Sequence, residues 1–115
     1  MEAKDRARIA HILEAAQDIK NFIQGRDRSS LDNEKMLLYA IVRAIEIIGE
    51  ASSQISPETR SQYPDLPWRD AIGMRNQLIH AYITVDSDIV WRTATVAIPN
   101  FVEEIQRLGL DHLKD

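Results

Sequence analysis

Arg75, Asn76, His80 and Tyr82 are the residues of this chain whose types and spacing could do chemistry. A histidine can take or give a proton near neutral pH, and an arginine offers a planar fork of donors suited to a phosphate or carboxylate. On a helix through this stretch, Trp68, Ile72, Arg75, Ile79 and Tyr82 recur at the three-four interval of one apolar stripe. Arg75 then interrupts a face that otherwise reads as buried, and its guanidinium needs a partner. Asn76 and His80 lie four apart on the neighbouring stripe, near enough for the amide to hydrogen-bond the imidazole and fix its tautomer. The plainer alternative is a satisfied histidine, an arginine paired with a carboxylate and a packing tyrosine.

These residues must be held by helices. From about Asp5 to Gln24, Ile9, Ile12, Ala16, Ile19 and Ile23 keep a three-four rhythm, which predicts an amphipathic helix ended by Gly25. Ser30 or Asp32 is placed to cap a second helix, about Asp32 to Ile55, with two stripes: Leu37, Ile41, Ala44, Ile48, Ala51 and Ile55, and Leu38, Val42, Ile45 and Gly49. Two stripes predict a helix that is central in a bundle or also faces a second chain. Glu46 and Glu50, four apart on it, repel unless a cation lies beside them; Arg75 is the candidate, with two solvated glutamates beside Arg43 as the alternative.

Pro57, Pro64 and Pro67 predict a short helical turn and then loop before Pro67-Trp68 starts a third helix that frays around His80 to Ile83. Gly73 weakens that helix by roughly 1 kcal/mol relative to Ala, which close packing against another backbone would explain. Asp86 or Ser87 caps a fourth helix with the stripe Val90, Ala94, Ala97, Phe101, Ile105 and Leu108, kinked or divided by Pro99, and the tail from Gly109 reads as frayed. With no repeat and no alternating strand pattern, the expected fold is all-α, an antiparallel four- to five-helix up-and-down bundle forming one domain over residues 1–115.

Composition narrows the chemistry. The 115 residues include no cysteine, so there is no disulfide, thiolate metal site or cysteine nucleophile. Neither an apolar signal core nor a membrane-length apolar run is present, and the expected setting is soluble and cytoplasmic, with no membrane partner. A net charge of −4 argues against general electrostatic attraction to nucleic acid. RNA binding would have to be local, through Arg43, Arg69, Arg75 and Arg92, with Arg26 and Arg28 in the first loop. The sole relative of a carboxylate-histidine metal motif, His11-Ile-Leu-Glu14, is reversed and unrepeated, and no phosphate loop or nucleophile elbow occurs. The expectation is therefore no metal and no cofactor.

Arg75-Asn76-x-x-x-His80-x-Tyr82, preceded by Pro67-Trp68-Arg69-Asp70 and followed by Val85-Asp86-x-Asp88-Ile89-Val90-Trp91, resembles the HepT-like branch of the HEPN superfamily. Arg43-x-x-Glu46-x-x-Gly49-Glu50 extends the resemblance over nearly the whole chain. It implies a HEPN-like helical homodimer whose two Arg-His motifs line one cleft, acting as a metal-independent endoribonuclease toxin. It further implies a partner antitoxin of nucleotidyltransferase fold that transfers AMP to Tyr82. In that reading Arg75 and His80 are catalytic, and Asn76, Glu46 and Glu50 support them. The competing class is a non-catalytic nucleotide- or partner-binding helical subunit of a minimal nucleotidyltransferase, which would tolerate loss of His80. A third is a structural adaptor in which Arg75 is only the counter-ion of Glu46 or Glu50.

Overall fold

The helix signals of the sequence become seven α-helical segments in a computed structural model. The model describes residues 1–80 and 84–112, excluding the side chains of Arg75, Leu78, Ile79, His80, Thr84 and His112. In chain order these are α1 (Ala3–Ile23), α2 (Ser30–Asn33), α3 (Lys35–Ser53), α4 (Pro57–Gln62), α5 (Trp68–Leu78), α6 (Ser87–Arg92) and α7 (Ile98–Arg107). A π-helical segment, Thr93–Ala97, joins α6 to α7, so the last three pieces run on as one column. The long helix α3 is the centre of the all-α, HEPN-like bundle. It packs most extensively against α1 on one side and α5 on the other, while the final column closes onto both α1 and α5. No described helix is long and apolar enough to cross a membrane.

Central position explains the two apolar stripes of α3. Ile41, Ala44, Ile45, Ile48, Gly49 and Ala51 are buried, and Leu38 and Val42 pack half-buried against the same core. The chain's own helices thus take up the second stripe. The helix starts later than the sequence predicts, and neither Ser30 nor Asp32 caps it. Glu34, at φ −123° and ψ 88°, separates the one-turn α2 from α3, and Leu31 is buried between them. Asp27 instead holds the turn before α2, accepting from the Ser29 hydroxyl at 2.6 Å and from the Ser30 amide at 3.2 Å.

Asp5 fixes the start of α4. It is 3% exposed, and its carboxylate accepts from the Ser56 amide (3.0 Å), the Ser56 hydroxyl (2.7 Å) and the Thr59 hydroxyl (2.6 Å). Ser56 in turn caps α4 by accepting from the Thr59 amide. Burial on its own would raise the Asp5 pKa, but the hydrogen bonds from Thr59 and Ser56, with the charge of Arg8, hold it below the ordinary value of 3.8.

Pro67, expected near the first turn of the next helix, lies just before it, and its carbonyl accepts from the Ala71 amide. Trp68 anchors that start: its indole donates to the Tyr63 carbonyl at 2.9 Å, and its ring meets Phe101 edge-on with centroids 6.1 Å apart. The buried face of α5 is Trp68, Ala71 and Met74. Ile72, expected on that face, is half-buried at its edge. Among the described residues, nothing beyond its own helix backbone and chain neighbours lies within 4 Å of a Cβ built on Gly73, so they do not make the expected close packing at that glycine.

The fourth stripe departs from expectation at one position. Val90, Ala94, Ile98, Phe101 and Ile105 are buried, whereas Ala97 is exposed. Pro99 cannot donate a backbone hydrogen bond, and the wider π turn before it adds the residue that moves the stripe from Ala97 to Ile98. The Thr95 hydroxyl donates to the Trp91 carbonyl at 2.7 Å within that turn. The expected frayed tail is corrected for its described part, through His112; the rest lies outside the described residues. Gly109 turns the chain at φ +73°, and a 3-10 turn (Leu110–His112) packs against α1 with Leu110 buried.

Candidate functional site

The motif begins on the last turns of α5 and continues beyond the end of that helix. Helix α5 stops at Leu78, and Ile79–His80 forms a two-residue strand, β1, paired antiparallel with β2 (Thr84–Val85) in the register Ile79 with Val85 and His80 with Thr84. His80 is therefore not on the helix. The expected i,i+4 stripe that joined Asn76 to His80, and the stripe from Arg75 through Ile79 to Tyr82, both end where α5 ends. Asn76 is exposed on the last turn of α5. Arg75 lies in α5, but its side chain and that of His80 lie outside the described residues, as does the whole of Tyr82.

The ladder is fixed from its C-terminal side. Asp86 caps α6 immediately after β2, accepting from the amides of Asp88 (3.0 Å) and Ile89 (3.1 Å). Arg28 reaches across from the first loop, donating from Nε to Asp88 Oδ1 at 2.7 Å and meeting Asp32 at 3.2 Å. The hydrogen bond to Asp88, then that to Asp32, raises the Arg28 pKa. Arg26 likewise pairs with Glu34 at 3.2 Å. Two of the candidate RNA-binding cations are thus tied to carboxylates.

Between α3 and α5, Arg43, Glu46, Gly49, Glu50, Ser53 and Ile72 line an open, mainly polar cavity of about 250 Å³. Arg75 and Asn76 follow Ile72 by one helical turn along α5. Ile72 thus brings α5, one turn before the motif, to the groove that holds both glutamates expected to support it. Among the described residues, the cation beside Glu46 is Arg43, with Nη1 to Oε2 at 3.4 Å. Glu50 accepts from Gln54 Nε2 at 2.8 Å, and Gln54 Oε1 accepts from Arg8 Nε at 2.9 Å. Sequence reasoning alone misses Gln54 and Arg8. Gln54 could be found as the i+4 neighbour of Glu50, whereas Arg8 comes from α1 and leaves no local signal.

A groove of about 680 Å³ lies elsewhere, between α1 and the final column, with Leu13, Ala16, Ile23, Ile98 and Val102 in its lining. Its described lining includes none of the motif residues. In the smaller cavity two carboxylates, a guanidinium and a serine hydroxyl from α3 meet Ile72 of α5.

The comparisons with known proteins agree with the motif. The family described as Ribonuclease HepT-like matches residues 12–108. The chain is 39% identical over 95 residues to "Putative RNase MJ1380" of Methanocaldococcus jannaschii, covering 83% of this chain and 87% of that protein. It is 36% identical over 97 residues to "Probable ribonuclease HepT" of Thermococcus cleftensis, covering 84% of this chain and 88% of that protein. No solved structure matches it. With the family matched across α3, α5 and the motif, this chain belongs to the HepT-like ribonucleases.

Proposed function

We propose that the protein is a metal-independent endoribonuclease, the toxin of a toxin-antitoxin pair, with Arg75 and His80 as its catalytic residues. The observation that carries this reading is the family match over residues 12–108, within which the sequence Arg75-Asn76-x-x-x-His80-x-Tyr82 stands complete. In the reaction, the 2′-oxygen of a ribose attacks the adjacent phosphorus and the bond to the 5′-oxygen breaks. His80 takes the 2′-hydroxyl proton or protonates the leaving oxygen, and Arg75 donates to the charge that develops on the phosphate. Asn76 orients His80 or contacts phosphate. Glu46 and Glu50 support the site from the α3 side of the groove.

The active form in this reading is a homodimer. A second copy seated along the α3–α5 face would gather two motifs in one cleft, and the open space above Gly73 leaves room for a close backbone approach there. The partner antitoxin is a nucleotidyltransferase-fold protein that places AMP on Tyr82. The added phosphate would pair with Arg75 and the nucleoside would fill the cleft, excluding RNA by charge and by occupancy.

The test is incubation of purified protein with RNA in the presence of a chelator, with mass spectrometry of the ends. Products carrying a 2′,3′-cyclic phosphate or its hydrolysis product support the reading. A protein that cuts no RNA, yet binds nucleotide or a nucleotidyltransferase, would be the non-catalytic subunit instead.

A further inference from the structure

Lys35, Tyr39 and Arg43 succeed one another at four-residue intervals along α3, and all three are exposed. Such spacing stacks them on one face of the helix, about 12 Å from first to last at 1.5 Å per residue. Tyr39 is 59% exposed and is not among the residues packed on the core. Neither Lys35 nor Tyr39 makes a side-chain hydrogen bond or ion pair among the described residues. Among the described residues Arg43 reaches Glu46, on its own helix, and its side chain is 71% exposed. Among the described residues, then, the fold makes no polar use of this aromatic ring or of the cation before it.

The stripe also has a direction. It ends at Arg43, which lines the polar cavity between α3 and α5. A basic residue, a free ring and a second basic residue leading into the site form the pattern that single-stranded nucleic acid takes: cations follow the backbone while a base stacks on the ring. In a chain of net charge −4, with Arg26 and Arg28 already tied to carboxylates, such a local track is one source of attraction that remains.

We infer that Lys35 and Tyr39 form a substrate-binding track for single-stranded RNA, with one base stacked on Tyr39 and a phosphate held by Lys35, delivering the strand past Arg43 to the cavity. This inference rests on the ribonuclease reading for its cleavage arm only. Binding is measured separately, by fluorescence anisotropy with a single-stranded oligonucleotide of 2′-O-methyl riboses, whose blocked 2′-oxygen cannot attack.

Tyr39→Ala should weaken binding of that oligonucleotide about ten-fold, and Tyr39→Phe, which keeps the ring, should stay within about two-fold. Lys35→Ala should lower the salt slope of binding by about one. In cleavage of unmodified RNA, Tyr39→Ala should raise KM by a similar factor at unchanged kcat. If Tyr39→Ala and Lys35→Ala bind as the parent does, the track is overturned while the ribonuclease reading stands. If the parent cuts nothing but binds through Tyr39, the ribonuclease reading falls and the track stands. A parent that binds no RNA overturns both. Light scattering completes the test: dissociation of an oligomer by Tyr39→Ala, with no loss of RNA affinity, assigns the stripe to a protein interface and overturns the track.

Discussion

His80 stands opposite Thr84 in the two-strand ladder after α5, so the histidine leaves the helix that carries Arg75. On an unbroken helix the two residues, five apart, would point roughly 140° away from one another at about 100° per residue. The ladder removes that constraint. The turn out of α5 sets the direction of the chain at His80, and the α6 cap at Asp86, braced by Arg28 on Asp88, holds the other side of the ladder.

If Arg75 acts as a fork of donors rather than as a point charge, lysine will not replace it. Arg75→Lys should lose cleavage nearly as fully as Arg75→Ala, by about 100-fold or more in kcat/KM. Circular dichroism should be unchanged in both. Full activity in the lysine variant would reduce Arg75 to general electrostatics.

Gly73 separates the needs of one chain from those of a pair. Since a Cβ there meets none of the described residues beyond its own helix backbone and chain neighbours within 4 Å, Gly73→Ala should stabilise the isolated fold by about 0.5–1 kcal/mol through the helix preference of alanine. In the proposed dimer the same methyl group meets the second copy. Thermal unfolding of the dilute protein should therefore shift upward while light scattering shows weaker self-association. Unaltered association would move the interface away from α5.

The Asp5 cluster sets the acid limb of stability. Its folded pKa lies below the unfolded value, so the unfolded chain binds the proton more readily. The contribution is present above the ordinary carboxylate pKa and is lost as pH falls through the folded value. Asp5→Asn should cost about 2 kcal/mol near neutral pH. The gap between parent and variant should narrow below about pH 4, as thermal unfolding at a series of pH values would reveal. A gap of constant size would show that the charge contributes nothing.

Tyr82 is the proposed point of control. Co-expression with the proposed nucleotidyltransferase partner should add the mass of AMP to the parent and not to Tyr82→Phe, and that variant should still cleave RNA but escape neutralisation by that partner. Mass spectrometry decides this, since equal modification of parent and variant would place the AMP elsewhere.

The bundle is legible in the sequence because burial follows helical period, and the stripes of α1 and α3 are those that run from Ile9 to Ile19 and from Leu37 to Ala51. The parts that are not legible come from local breaks in that period. An unbroken stripe selects Ala97, and the π turn before Pro99 buries Ile98 instead. A helix drawn through Tyr82 puts Ile72 on the core face, where Ala71 and Met74 lie, and puts His80 on a stripe that ends at Leu78. Leu110 reads as frayed because a three-residue turn has no period to detect. For the site, motif spacing points to the stretch that begins on the last turns of α5, and Glu46 and Glu50 line a groove between α3 and α5. The chain of hydrogen bonds from Glu50 through Gln54 to Arg8 depends on how α1 meets α3, which no local pattern encodes.

The central claim is that His80 performs acid-base chemistry on RNA, and the most direct measurement is the cleavage rate of His80→Ala beside the parent, with chelator present and both proteins shown to be folded. The account predicts a parent that cuts RNA despite the chelator and a variant slower by about 100-fold or more. A His80→Ala protein that cuts as fast as the parent would contradict it.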